Sequence, residues 1–343
     1  MPLITLVGWI LIIGSTGNAH ARPKTDIVIL SNGDRITCEI KELTRDKLRV
    51  KTDSAGTIEI EWEDIVSIKS DYYFRVEDAA GHRYFGEIEL IADKTLFRIA
   101  SQSEIVTLER DVVTEIVPIE TSFWSRFDGS IKFGYDFTRA SNVAKGYVDW
   151  KNYYSTERNM VDSKVYFGRT DRHDDQGIII RNEISLVYTR LLRGKWTGST
   201  GITFERNDEL DLQRRILISI ANGTTPLKSN RHRLLASLGL SLNSELATDS
   251  TETTESLEIA LMGTYSRFVY DTPKVALDTT LEVFPSITEQ GRVRVNFKID
   301  WSREIISDLT FELNYYISYD NQGASGEGPT RDYGFGTSLG YSY

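Results

Sequence analysis

From residue 129 onward the chain alternates apolar and polar side chains over segments of ten or more residues. In residues 291–303, Val293, Val295, Phe297, Ile299 and Trp301 form one stripe, and Arg292, Arg294, Asn296, Lys298 and Asp300 form the other. Ile131, Phe133, Tyr135 and Phe137 oppose Lys132, Gly134 and Asp136 in the same way. Leu234, Ala236, Leu238, Leu240 and Leu242 oppose Ser237, Gly239, Ser241 and Asn243, and Leu309 to Tyr319 repeats the pattern against Glu312, Asn314 and Ser318. A period of two sends successive side chains to opposite faces and predicts strands. Twelve runs follow, near 129–140, 145–156, 160–171, 178–191, 195–206, 213–223, 231–244, 256–270, 274–285, 291–303, 308–320 and 332–343. Compact turns (156–159, 192–195, 305–308) alternate with longer polar loops (170–176, 247–255, 321–330). An even strand number, strands of about 9–11 residues, and short turns opposite long loops are the marks of an outer-membrane barrel. A soluble sandwich also alternates, with its apolar face inward.

The first part of the chain has a different texture. Residues 31–68 overlay residues 79–116 at a shift of about 48, matching Gly33 with Gly81, Ile40 with Ile88, Leu48 with Leu96, and Asp64-Ile65 with Asp111-Val112. Each unit holds four or five short alternating runs split by turn residues, which predicts a small barrel. The expected fold is all-β: an N-terminal tandem small β-barrel module, SH3-like or Sm-like, over 24–119, then a ~12-stranded antiparallel transmembrane β-barrel over 122–343. Residues 3–13 form an apolar run, followed by Ala19-His20-Ala21, an A-x-A pattern. That run is too short to span a bilayer as a helix and reads as a signal peptide over 1–21. The expected location is the cell outer membrane, with 24–119 in the periplasm.

Composition narrows the reading. The 40 Lys and Arg against 50 Asp and Glu leave a net charge of -10, and a nucleic-acid partner needs a basic footprint, so none is expected. Cys38, the one cysteine, cannot form an intramolecular disulfide and is expected in a core beside Ile36 and Ile40. Trp62 and Tyr72 to Phe74 are expected in core and strand, with a peptide-binding groove as the alternative.

The last run places Phe335, Thr337, Leu339, Tyr341 and Tyr343 on one face. Phe335, Leu339, Tyr341 and Tyr343 resemble the C-terminal signal read by the outer-membrane barrel assembly machinery. This strand is expected to pair with the first, because an open edge in lipid leaves backbone groups unsatisfied. Residues 279–322, with Phe284-Pro285-Ser286 and Tyr319-Asp320, and the charged 205–215 stretch, resemble the salt-induced outer-membrane proteins, a family without an agreed activity. The resemblance covers roughly 122–343 and implies location and fold but no reaction. The expected partners are outer-membrane lipid, the assembly machinery during biogenesis, and peptidoglycan or a periplasmic protein at 24–119.

No catalytic, cofactor or metal site is expected. A membrane-embedded hydrolase, the first alternative, needs a nucleophile beside a base, and His82, His173 and His232 stand in no recognisable arrangement with a serine. A soluble periplasmic binding protein is the second alternative. Asp171, Asp174 and Asp175 are expected to form a solvated loop. The candidate functional residues are lumen charges: Asp278 and Glu282 are expected to face Arg292, Arg294 and Lys298, which in turn face Glu312. They would line a narrow polar pore or an ion-paired plug.

Overall fold

The computed structural model describes residues 23–341 except 91–95, 102–104, 120–122, 124–125, 140–142, 173–176, 249, 272, 307–308 and 323–329. The 1–21 segment, His173, Asp174, Asp175 and Tyr343 therefore lie outside the described residues. Among the described residues the chain is all-β, and no helix is long and apolar enough to cross a membrane.

Nine strands build the first sheet: β1 Asp26–Leu30, β2 Arg35–Thr44, β3 Lys47–Lys51, β4 Thr57–Glu61, β5 Ile65–Asp78, β6 Arg83–Leu90, β7 Leu96–Ala100, β8 Ile105–Glu109 and β9 Val113–Pro118. Their order is β4-β3-β2-β1-β5-β6-β7-β8, and β9 pairs with both β2 and β5. One-turn 3-10 segments, Trp62–Asp64 and Arg110–Val112, lead into β5 and β9. The starts of β4, its 3-10 turn and β5 (57, 62, 65) recur at β8, its turn and β9 (105, 110, 113), 48 residues on. β5 is shared: Val28 of β1 pairs with its Ile68, and Ile116 of β9 pairs with its Val76. The hairpin between β2 and β3 turns on Arg45 and Asp46, both at positive φ, as a two-residue turn matched to strand twist requires.

The alternation of these strands points Val28, Ile40, Leu48, Ile68, Phe74, Ile88, Phe97 and Ile116 into one core, with Cys38 among them. Trp62 is buried there, edge-on to Phe97, and its Nε1 donates to the Arg110 carbonyl (3.1 Å). Phe74 is core, whereas Tyr73 beside it is exposed.

Twelve antiparallel strands build the second sheet, each paired with its sequence neighbour. They are β10 Phe127–Thr138, β11 Val143–Ser155, β12 Asn159–Arg172, β13 Ile178–Leu191, β14 Trp196–Asn207, β15 Leu212–Lys228, β16 His232–Ala247, β17 Thr254–Val269, β18 Val275–Pro285, β19 Val293–Ile306, β20 Leu309–Asp320 and β21 Thr330–Tyr341. The twelve runs read from the sequence coincide with these strands to within a few residues. The two faces also separate as expected. Leu238, Leu240 and Leu242 of β16 are 59%, 46% and 56% exposed, while Ser241, Asn243 and Glu245 between and beyond them are buried. Among the described residues no ladder joins β10 to β21. The first-to-last pairing expected from the sequence is thus not among the ladders, and the outward side chains Tyr135, Phe335 and Tyr341 are 78%, 69% and 63% exposed.

Candidate functional site in the interior of the large sheet

The polar stripes of β14 to β20 meet at the long-loop end. Arg215 of β15 lies between two acids: its Nη1 donates to Glu205 of β14 (3.0 Å) and its Nε to Glu245 of β16 (2.9 Å). Arg292, immediately before β19, crosses the interior and donates from Nη2 to the other Glu245 oxygen (2.9 Å) and to Asp320 of β20 (2.6 Å). Its Nη1 donates to Glu289 (2.7 Å). Arg294 of β19 donates to Glu258 of β17 (3.0 Å from Nε) and sits 4.9 Å from the Phe284 ring. The signs alternate as Glu205, Arg215, Glu245, Arg292, Asp320, so each buried charge has its counter-ion. Arg292 and Glu245 stand on opposite sides of β17 and β18, so their contact is a chord through the curled sheet and not a rung along it.

The expected lumen cluster is placed as follows. Arg292 and Arg294 are interior and buried, but their partners are Glu245, Asp320 and Glu258. Glu282 instead accepts from Asn296 (3.1 Å), Lys298 pairs with Asp300 on its own strand (2.6 Å), and Glu312 accepts from Ser338 (2.7 Å). Asp278 is bound by Arg45 of the small domain (2.7 Å). Arg292 and Arg294 thus meet acids other than Asp278, Glu282 and Glu312. A side chain as long as arginine spans a concave face, which a strand-by-strand reading cannot represent. Glu245 continues the Ser241, Asn243 stripe by one position, and Asp320 continues Asn314, Ser318. Glu245 lies one residue past the 231–244 run, and Asp320 is the last residue of the 308–320 run.

At the short-turn end the small domain packs on the sheet. Lys228 of β15 is buried and donates to Glu77 (2.9 Å) and Glu115 (2.7 Å). Arg75 donates to Glu115 (3.1 Å) and to the Thr156 carbonyl (3.3 Å). Arg83 donates to Glu77 (3.0 Å) and to the Leu192 carbonyl (2.7 Å). Burial alone would push the Glu115 carboxyl up, but Lys228 and Arg75 hold it well below the usual carboxylate range. Farther along, Arg45 binds Asp278, and Lys47 lies 4.0 Å over the Tyr270 ring. Carboxylates crowd beside this contact. Burial pushes Asp46 up to about 6, against Arg231 and Arg110. A hydrogen bond to Asp271 raises Glu63.

The two described imidazoles have other partners. His82 Nδ1 is 3.0 Å from Asp78, and His232 Nδ1 is 2.9 Å from the Tyr265 hydroxyl.

Residues 131–343 match the model of a family described as "Protein of unknown function, DUF481". No curated protein and no solved structure gave a significant match.

Proposed function

The chain belongs to the DUF481 family of proteins of unknown function, and from that premise we propose that it is an outer-membrane β-barrel whose interior is a narrow polar channel held shut at both ends. The observation that carries this reading is the pairing of faces in the large sheet. Leucines and aromatics stand exposed on one face, while the other face buries a connected set of ion pairs. In water that arrangement is inside out; against hydrocarbon it is the arrangement that lowers the free energy. In lipid, β10 and β21 close on each other, because unpaired backbone groups cost several kcal/mol each there. The small domain, read as a tandem SH3-like unit in the periplasm, caps the short-turn mouth and leaves its far surface for peptidoglycan or a periplasmic protein. The stress-related setting implied by the likeness to salt-induced outer-membrane proteins belongs to the same reading.

Fractionation tests location: the protein is expected in the outer membrane as a heat-modifiable band, and a mature chain that stays monodisperse without detergent overturns the reading. Planar-bilayer recording tests the channel. Wild-type protein is expected to be nearly silent, and Lys228→Ala is expected to give resolvable openings by freeing the cap. If silence persists when both Lys228 and Arg292 are replaced in folded protein, the channel is ruled out and the barrel is structural.

A further inference from the structure

Inward-facing tyrosines break the pattern of the large sheet's interior. Toward β16 and β17 the inner face buries its ion pairs, Glu245 and Glu258 among them. Where β20 and β21 meet β10 and β11, the inner face instead keeps Tyr147 and Tyr316 43% and 46% exposed. Each of these rings lies over a glycine of the neighbouring strand. Tyr147 of β11 is directly opposite Gly134 of β10, and Tyr316 of β20 is directly opposite Gly334 of β21. A Cβ on either glycine would fall 2.0 Å or 2.2 Å from the ring above it. Each ring therefore leans across onto the next strand, with the rest of it open to the interior. Tyr166 of β12 lies against Gly168 in the same manner, and its ring is nearly parallel to that of Tyr147 (20° between planes, centroids 6.3 Å apart).

Gly134 and Gly334 are each seven residues from the short-turn end of their strand, Phe127 or Tyr341. Closing β10 on β21 brings them together and sets Tyr316, Tyr147 and Tyr166 in one row, with rings about 5–6 Å apart. An open row of aromatic faces inside a polar interior is a binding surface, since packing would have covered it. Its surroundings say for what. On the adjoining rungs Lys132 is directly opposite Asp149 and Asp136 directly opposite Lys145, and beside Tyr316 Lys298 contacts Asp300 (2.6 Å). These charges are matched pair by pair and give a small ion little to hold. They leave flat apolar faces edged with hydrogen-bond donors and acceptors. The complement is an uncharged molecule with an apolar face and a polar rim. A pyranose with equatorial hydroxyls has that form: axial C–H bonds make the face, and hydroxyls make the rim. Its slightly positive C–H bonds are drawn to the negative face of an aromatic ring. A linear chain of such sugars repeats on the scale of the tyrosine row.

We propose that this row binds a short neutral oligosaccharide, its sugar rings stacked on Tyr316, Tyr147 and Tyr166. The proposal rests on reading this face as the interior of a closed barrel, but not on conduction.

The test is isothermal titration of cellotriose into the full chain, folded in a detergent without a sugar headgroup. Cellotriose is expected to bind about tenfold tighter than glucose, and sorbitol, which has hydroxyls but no ring face, is expected not to bind. Tyr147→Ala and Tyr316→Ala are each expected to weaken cellotriose about tenfold, while Tyr147→Phe, which keeps the ring, stays within about threefold of wild type. Tyr153→Ala, farther along β11 toward the short-turn end, is expected to leave binding unchanged. The comparison of cellotriose with sorbitol is made on wild type and stands even if a variant fails to fold. Absence of cellotriose binding to heat-modifiable protein overturns the proposal and leaves the barrel standing. So do sorbitol or tetramethylammonium binding as tightly as cellotriose, or undiminished affinity in both alanine variants. A chain soluble without detergent removes the barrel and the proposal with it.

Discussion

Leu240 and Ser241 are neighbours in sequence and opposites in environment: the first is 46% exposed on the outer face, the second is buried. What surrounds the outer face decides what a charge costs there. In a bilayer, Leu240→Arg is expected to cost about 2–4 kcal/mol near the midplane; in a soluble sheet the same exposed change falls within about 0.5 kcal/mol. Urea unfolding of refolded protein in lipid vesicles separates the two. On the inner face, Arg292 is the residue on which most depends, because Glu245, Glu289 and Asp320 all accept from it. Arg292→Ala leaves Glu245 with Arg215 alone and removes the guanidinium that Glu289 and Asp320 share, and breaking a buried ion pair from one side costs about 3–5 kcal/mol. The expected result is a lower urea midpoint. Alternation along the chain showed that Arg292 points inward. It did not show which acid the residue meets, because that acid lies three strands away in a curved wall.

At the scale of the element, strand phase was legible except across bulges such as that between Thr224 and Leu227 of β15, and strand length slightly less so. β15 to β17 extend past the apolar runs that announce them, and the extra residues carry Lys228 and Glu245, which anchor the two ends. Polar residues at a strand end look like loop in a sequence, since nothing apolar marks them as paired. Glycines carry a second element-level device. Tyr147 of β11 lies over Gly134 of β10, and Tyr316 of β20 over Gly334 of β21, each on the inner face. A Cβ at Gly134 would fall 2.0 Å from Tyr147 Cε1, and one at Gly334 would fall 2.2 Å from Tyr316 Cε1. The missing side chains let both rings lie flat against the wall. Gly134→Val is therefore expected to lift the Tyr147 ring and cost about 1–3 kcal/mol by overpacking. Gly336→Ala, with nothing within 4 Å of its Cβ, is the matched neutral control. Thermal unfolding of the two variants in detergent checks both.

At the scale of the whole molecule, the contact between the two sheets was the least legible feature, because every residue in it also has an ordinary reading alone. Glu77, Glu115 and Arg75 pass for the polar face of a small barrel, and Lys228 for a turn residue; only the docked geometry makes them one latch. That latch makes docking depend on pH in two opposed ways. Glu115 is held below its ordinary value, so its contribution is complete above about 4.5 and is lost as pH falls through its depressed value. Asp46 is raised to about 6, so its contribution is complete below about 3.8 and is lost as pH rises through about 6. Docking is expected to strengthen from pH 7 down to about pH 4–5, then weaken as acid reaches the latch. The full Asp46 shift, discounted because the group is only partly buried, is worth on the order of 1–2 kcal/mol. Hydrogen exchange at the β2–β3 turn, followed across this range, should show a maximum of protection on the acid side. Asp46→Asn should flatten the rise toward it and leave the acid fall intact, whereas Lys228→Ala should shrink the fall, leaving only the part that Arg75 sustains. A profile that is flat in wild type, or one that Asp46→Asn leaves unchanged, would separate docking from these two carboxylates and leave the cap held by the arginine contacts to Thr156, Leu192 and Asp278 alone.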